Sequence, residues 1–449
     1  MSKKYNPRSK CKGWNKVTKA KRVITESERI WNKAKKIIPA GTQCLSKGPT
    51  QFVDGVAPKY LKRGKGCYVW DVDGNKYIDY GMGLRSVILG YSYPVVNEAI
   101  KKQLKDGTNF TLMHPLELDV AEALVKTIPC AEAVRYGKNG SDATTAAVRA
   151  ARSYTGRDKI AICGYHGWHD WYMITTDRNK GIPKIMKELS FTFKYNNIES
   201  LKQLFDTYPG QFAGVIMEAV GVTPPEGSFL KDVQKLTHDN GAVLIFDEIV
   251  TGFRFSMGGA QEYFGVTPDL ATFGKGMANG MPIATLVGKH DIMNVFCESF
   301  LSYTFGGETL SLAAALATMK ELKTKKVVPY LWAKSKKLQD GYNKLAKEHG
   351  VEKYTQCVGY PAITLVKFSG KTPDESLLMK SLVQQEVLKR GILWAAYHAV
   401  SYSHKDQEIN RTIEVFDDAL KVLAKASVKG NFGKFLEGKP VKPVFREVN

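Results

Sequence analysis

The run Ala242-Val243-Leu244-Ile245-Phe246 is apolar without a break and ends in Asp247-Glu248. A short stretch with no polar side reads as a strand buried on both faces, in a parallel sheet covered by helices. A second apolar approach, Leu270 to Phe273, ends in Gly274-Lys275-Gly276, placing Lys275 twenty-eight positions after Asp247. Open α/β sheets hold their ligands at the carboxyl ends of the strands. Two neighbouring strands would there present a carboxylate and an amine together. That pair suits pyridoxal phosphate: the lysine forms a Schiff base, and the aspartate keeps the pyridine nitrogen protonated so that the ring can accept electrons. Glycines on both sides would leave the Lys275 amine open to a flat cofactor. Alone, a Gly-Lys-Gly triplet is ordinarily a solvated turn, so the reading depends on the other parts of such a site being present.

Those parts occur in order. Asn139-Gly140-Ser141-Asp142 opens an alanine-rich helix. A helix start has unpaired N–H groups and a positive dipole end, which suit a phosphate, although an ordinary N-cap needs the same residue types. Tyr165-His166-Gly167 follows a short strand, and Tyr165 could stack on a pyridine ring. Ile249, two residues past Asp247, could cover the ring's other face, and Glu218 ends another apolar strand where it could orient Asp247 or a neighbouring arginine. The bland alternatives are a rim tyrosine, a core isoleucine and a rim salt bridge.

From about residue 130 strands and helices alternate, which implies a mostly parallel sheet with helices on both faces. Before it lie a helix, residues 26–38, and a small antiparallel ribbon with Asp73-Gly74 as hairpin turn. After it comes a smaller α+β portion, with helices expected at 331–349, 375–390 and 407–425 and a strand near 362–368. The expected organisation is a basic tail 1–25, an N-terminal helix and ribbon 26–85 belonging to the small domain, a large cofactor-binding domain 86–330, a C-terminal small domain 331–430 and a tail 431–449.

The net charge is +21, and residues 1–25 hold nine basic side chains and no acidic one. Such a tail can bind nucleic acid, but a solvated extension is the simpler reading. The seven cysteines are dispersed without a CxxC pair, which points to reduced thiols and not to disulfides or a metal site, and no apolar run suits a signal peptide or a membrane span. A cytoplasmic protein is expected.

Across roughly residues 26–425 the chain resembles the class III, fold-type I pyridoxal phosphate aminotransferases, in particular glutamate-1-semialdehyde 2,1-aminomutase and its aminotransferase relatives. The resemblance is carried by Asp71-Val72-Asp73-Gly74, Tyr77-Ile78-Asp79-Tyr80, Tyr165-His166-Gly167, Phe246-Asp247-Glu248 through Gly252-Phe253-Arg254, Gly259-Ala260-Gln261, Pro268-Asp269-Leu270 and Asn279-Gly280-Met281-Pro282-Ile283. It implies that Lys275 is the Schiff-base lysine, Asp247 the pyridinium partner, Tyr165 the stacking ring, Ile249 the apolar cover, and Gly140 and Ser141 the phosphate loop. It further implies that Thr304 reaches the phosphate of a neighbouring subunit, hence a homodimer.

The departures fall at substrate-facing positions. Lys47 stands where the aminomutase has its carboxylate-binding arginine, Arg85 where it has a small residue, and Glu308-Thr309 where it has Asn-Pro. The expected function is therefore transfer of an amino group from an amino donor to a carbonyl acceptor, with Lys47, Arg85 and Glu308 as candidate substrate residues. The alternatives are the aminomutase itself and, more remotely, a non-catalytic basic binding protein on the same fold.

Overall fold

A computed structural model describes residues 23–442; the basic stretch 1–22 and residues 443–449 lie outside it. Ten strands precede the C-terminal region: β1 Leu61–Lys65, β2 Tyr68–Asp71, β3 Lys76–Asp79, β4 Ala133–Gly137, β5 Lys159–Cys163, β6 Ser190–Thr192, β7 Phe212–Met217, β8 Val243–Asp247, β9 Leu270–Phe273 and β10 Ala284–Gly288. Strands β4 to β10 form a seven-stranded sheet in the order β4-β10-β9-β8-β7-β5-β6. It is parallel except for β10, which runs antiparallel to both its neighbours and which the sequence reading did not place. The chain has the fold-type I α/β architecture.

Every residue of β7, β8 and β9 is buried, yet each strand still alternates between faces. Val243 and Ile245 pack with Ile160, Ile162 and the alanines of helix Gly140–Thr155. Leu244 and Phe246 pack with Ala161, Val215 and Met217 beneath helices Ile198–Thr207 and Phe229–Asp239. A continuous apolar run is what a strand sandwiched between two helical layers requires. The alanine face of Gly140–Thr155 lets that helix lie close to the sheet and brings its first turn to the sheet's carboxyl edge.

A four-stranded sheet joins the N-terminal part of the chain to its C-terminal part. Strands β1, β2 and β3 are extended by the short strand Ile392–Leu393, parallel to β3. Asp73, expected only as a turn residue, also accepts the backbone N–H groups of Glu26 (2.7 Å) and Ser27 (3.0 Å), so the hairpin tip caps the first helix, Thr25–Ile37. The helix expected at 331–349 spans Val327–Glu348: Pro329 lies in its first turn, where a missing N–H is tolerated. Residues 431–442, expected to trail as part of a tail, instead pack back. Phe432 and Val441 are buried, and Lys439 exchanges backbone hydrogen bonds with Asp54. Among the described residues no helix is long and apolar enough to cross a membrane.

His398 and His404 lie fully buried beside Tyr80. Burial lowers each from 6.5 to about 3. A folded-state value below the unfolded one means that the stabilisation is present above pH 6.5 and is lost as the pH falls toward 3, at about 1.4 kcal/mol per unit of separation. Urea midpoints should therefore fall through this window. The fall should be shallower in His398→Gln, and a parallel pair of curves would contradict the assignment.

Candidate active site

The carboxyl ends of β5, β7, β8 and β9 deliver the candidate residues to one place. Asp247, the last residue of β8, is 5% exposed. Its Oδ1 accepts the Ile249 N–H (3.0 Å) and the Thr272 hydroxyl (3.3 Å), and its Oδ2 lies 2.8 Å from His166 Nδ1. The other ring nitrogen, Nε2, is 3.0 Å from the Cys163 carbonyl oxygen, which can only accept. Nε2 therefore donates, and the remaining link of the relay is Nδ1 to Oδ2. His166 thus ties Asp247 to the end of β5. Residue types alone could not reveal this link, because the two partners are 81 positions apart.

Lys275 begins the turn after β9 with φ of +38°, a left-handed conformation unusual for a lysine. Burial lowers its pKa; Asp247 and Glu218 oppose that effect, and Arg85 and Arg254 reinforce it. Glu218 is raised by burial and then by Asp247; its Oε2 accepts the Tyr165 N–H at 3.3 Å. The glycines beside Lys275 differ from expectation. They are not open space: a Cβ at Gly274 would meet Ile249 Cδ1 at 3.1 Å, and one at Gly276 would meet Ile88 Cδ1 at 3.3 Å. They are small because isoleucines pack against the backbone that aims the lysine.

Ile249 also lies under Gly140, where a Cβ would meet its side chain at 3.2 Å. One isoleucine therefore touches both the start of helix Gly140–Thr155 and the Lys275 turn. At the helix start, Asp142 Oδ2 accepts the N–H groups of Lys138 (2.9 Å) and Asn139 (2.7 Å). This leaves the Gly140 and Ser141 N–H groups, which the helix cannot satisfy itself. Ser141 Oγ accepts the Trp168 N–H at 3.2 Å, and Gly167, at φ of +105°, has room only for hydrogen because a Cβ would fall 2.2 Å from that hydroxyl. Tyr165 is 51% exposed, with its ring edge-on to Tyr172.

The remaining candidates separate into three settings. Thr304 is exposed in the turn before helix Thr309–Thr324. Glu308 caps that helix: Oε1 accepts the Leu310 N–H (2.7 Å), Oε2 accepts that of Ser311 (3.2 Å), and Oε2 pairs with Lys138 Nζ at 3.0 Å. Burial alone would raise its pKa, but Ser311 and Lys138 outweigh burial and hold it below the ordinary range. Lys47 is exposed, on the wall of a cavity of about 460 Å³ that also includes Leu84, Trp394 and Tyr397. Arg85 is recessed, with its guanidinium 4.3 Å from the Tyr397 ring.

A helix start whose first N–H groups the helix cannot satisfy, a carboxylate fixed by a histidine and a recessed lysine stand at or just after the ends of β4, β8 and β9, at the carboxyl edge of one sheet. Their order matches the phosphate, ring nitrogen and aldehyde of pyridoxal phosphate, so the residues present fit that cofactor.

Comparison with known proteins agrees. Residues 53–420 match the family described as aminotransferase class-III. A 3-aminobutyryl-CoA aminotransferase of Cloacimonas acidaminovorans is 36% identical over 416 residues, covering 90% of this chain and 98% of that protein. A glutamate-1-semialdehyde 2,1-aminomutase of Natranaerobius thermophilus is 34% identical over 428 residues, covering 89% and 99%. Among solved structures, the pyridoxal phosphate form of the FumI protein of Sphingopyxis sp. MTA144 superposes with a TM-score of 0.85 at 24% identity, covering 93% of this chain and 99% of that one.

Proposed function

The chain belongs to the class-III aminotransferases, and on that premise we propose that Lys275 carries its pyridoxal phosphate covalently while Asp247 faces the pyridine nitrogen. The protein is a pyridoxal-phosphate-dependent aminotransferase, which takes an amino donor and a carbonyl acceptor. The observation that carries the residue assignment is the relay from the Cys163 carbonyl through His166 to Asp247, within the electrostatic reach of Lys275. When bound, the cofactor supplies an aldehyde and an electron-withdrawing ring.

Each residue then has one task. Burial lowers the pKa of Lys275, which favours the uncharged amine that makes the attachment and that afterwards can take or return a proton. Asp247 holds a negative charge where it favours a protonated ring nitrogen. Gly140 and Ser141 donate to the phosphate, Ile249 covers one ring face and Tyr165 the other, and Glu218 fixes the Tyr165 backbone. Borohydride reduction followed by peptide mapping tests this: the label belongs on Lys275, and a label on another lysine would contradict the assignment.

The enzyme is further proposed to work as a homodimer, with Thr304 serving the partner's phosphate. Leu112, Met113, Phe300 and Phe305 are 77, 82, 78 and 56% exposed. The backbone bond from Thr309 N to the Thr108 carbonyl ties the two segments, and Thr304 lies between Phe300 and Phe305 in the chain, which supports an apolar contact face there. A second copy of the chain would cover it. Thr304→Ala should weaken cofactor retention by about 1.5–3 kcal/mol, the worth of one hydrogen bond to a charged group. Light scattering showing a monomer with full activity would contradict the arrangement. The six described cysteines are all free, which supports a reducing, cytoplasmic setting.

A further inference from the structure

Residues 82–85 form a turn of the wrong hand. Met82, Gly83, Leu84 and Arg85 have φ of 41°, 59°, 59° and 69°. Three of them carry a Cβ, and each such residue is disfavoured in the left-handed region. The surroundings force the turn. Buried Asp79 accepts the Gly81 N–H (2.7 Å), the Met82 N–H (3.1 Å) and the Tyr91 hydroxyl (2.7 Å), and Val87 N–H closes on the Met82 carbonyl at 3.0 Å. Strain held this firmly at the edge of an active site is a mark of positioning, and the side chain positioned is that of Arg85.

Among the described residues no carboxylate grips the fork of Arg85. Its guanidinium lies against Tyr397, its Nε is buried without a hydrogen-bond partner, and among the described residues it makes no ion pair. Glu218 lies near enough to favour its charge, but burial outweighs this. Behind it is Arg254, 2% exposed and, among the described residues, also without a carboxylate partner; its fork donates to the Val400 and Arg85 carbonyls, both at 3.3 Å. Burial and then Arg85 lower Arg254 to about 9. Lys138 and Lys59, also recessed, are paired, the first with Glu308 and the second with Glu28 and Asp54. Two neighbouring recessed guanidinium groups that, among the described residues, pair with no carboxylate are costly, and their fields extend to Lys275. The missing partner is an anion, and the ligand matching a planar fork is a carboxylate, which it grips with two parallel hydrogen bonds.

We propose that Arg85, backed by Arg254, seats the carboxylate of the substrate, so that the substrates are amino acids and oxo acids whose anion lies at Arg85 while the amine or carbonyl lies at Lys275. The cavity bordered by Leu84, Trp394 and Tyr397 takes the remainder of the molecule, and Lys47, exposed at its rim, is dispensable for the grip. The proposal rests on the assignment of Lys275 as the cofactor residue.

Calorimetry on the holoenzyme with butyrate and its uncharged analogue butyramide tests it. Arg85→Lys keeps the charge and loses the fork, whereas Arg85→Met loses both. Each should weaken butyrate by about 10- to 100-fold, the range of a lost charge-assisted hydrogen bond, and leave butyramide unchanged. Lys47→Met should leave butyrate unchanged. Butyrate binding the parent no better than butyramide overturns the proposal, as does a loss that appears in Lys47→Met instead. Equal butyrate affinity in the parent and Arg85→Met proteins, with the yellow cofactor absorbance intact in both, overturns the carboxylate seat and leaves the Lys275 attachment standing. Failure of that attachment is read separately from the borohydride label.

Discussion

Replacing Lys275 by alanine is expected to lower turnover by at least about 10⁴-fold, the upper end of what one proton-transferring group contributes, because the same side chain also makes the covalent attachment. Only an uncharged amine has a free electron pair. Burial and the two arginines lower the pKa of Lys275, which favours the uncharged amine, and Asp247 and Glu218 only partly oppose this. Alanine removes that amine without disturbing what surrounds it: Gly274 and Gly276 still pack on Ile249 and Ile88. The variant should therefore fold, keep the phosphate and ring contacts, and bind the cofactor reversibly. Dialysis should strip cofactor from the variant and not from the parent. Turnover within an order of magnitude of the parent would remove Lys275 from the chemistry.

Asp247→Asn should slow the reaction by about 10- to 1000-fold, since an adjacent opposite charge shifts a protonation equilibrium by about one to three units. The substitution isolates charge from shape. Asparagine Oδ1 can still accept from Ile249 N–H and Thr272. Its amide can donate to His166 Nδ1 while Nε2 goes on donating to the Cys163 carbonyl, with the ring in its neutral tautomer. Every contact around the site keeps a donor and an acceptor, while the carboxylate charge is lost together with the Nδ1 proton that it accepted. Cofactor affinity should change far less than the rate. A variant that turns over normally would show that the ring nitrogen needs no carboxylate.

The sequence carries some of these features plainly and others not at all. Asp247 and Lys275 are legible because an unbroken apolar run must be a strand covered on both faces, and such strands end where ligands sit. The Gly140 helix start is legible as a capping sequence. His166 is present in a quoted motif, but its task depends on two strand ends being neighbours, which only the fold supplies. The left-handed turn at 82–85 is invisible: methionine, leucine and arginine have no preference for positive φ, and tertiary bonds from Asp79 impose it. Glu308 stands where a substrate contact was expected, and the structure shows its carboxylate capping a helix and pairing with Lys138, a task that depends on a residue 170 positions away. Strand β10 escaped because five residues, Ala284–Gly288, carry too little periodicity to distinguish a strand from other short apolar runs.

Aminotransferase and aminomutase chemistry share everything at the ring and differ in whether a product leaves. An aminotransferase must release an oxo acid before the second substrate enters, whereas a mutase retains its intermediate and returns the nitrogen to a neighbouring carbon. The decisive measurement is a half-reaction. Holoenzyme is mixed with glutamate or with alanine and no acceptor, and the loss of yellow absorbance is followed alongside the oxo acid set free. Release of one oxo acid per active site, in step with the loss of colour, is the predicted result. No oxo acid from either donor, together with conversion of glutamate-1-semialdehyde to 5-aminolevulinate without any external donor, would contradict it.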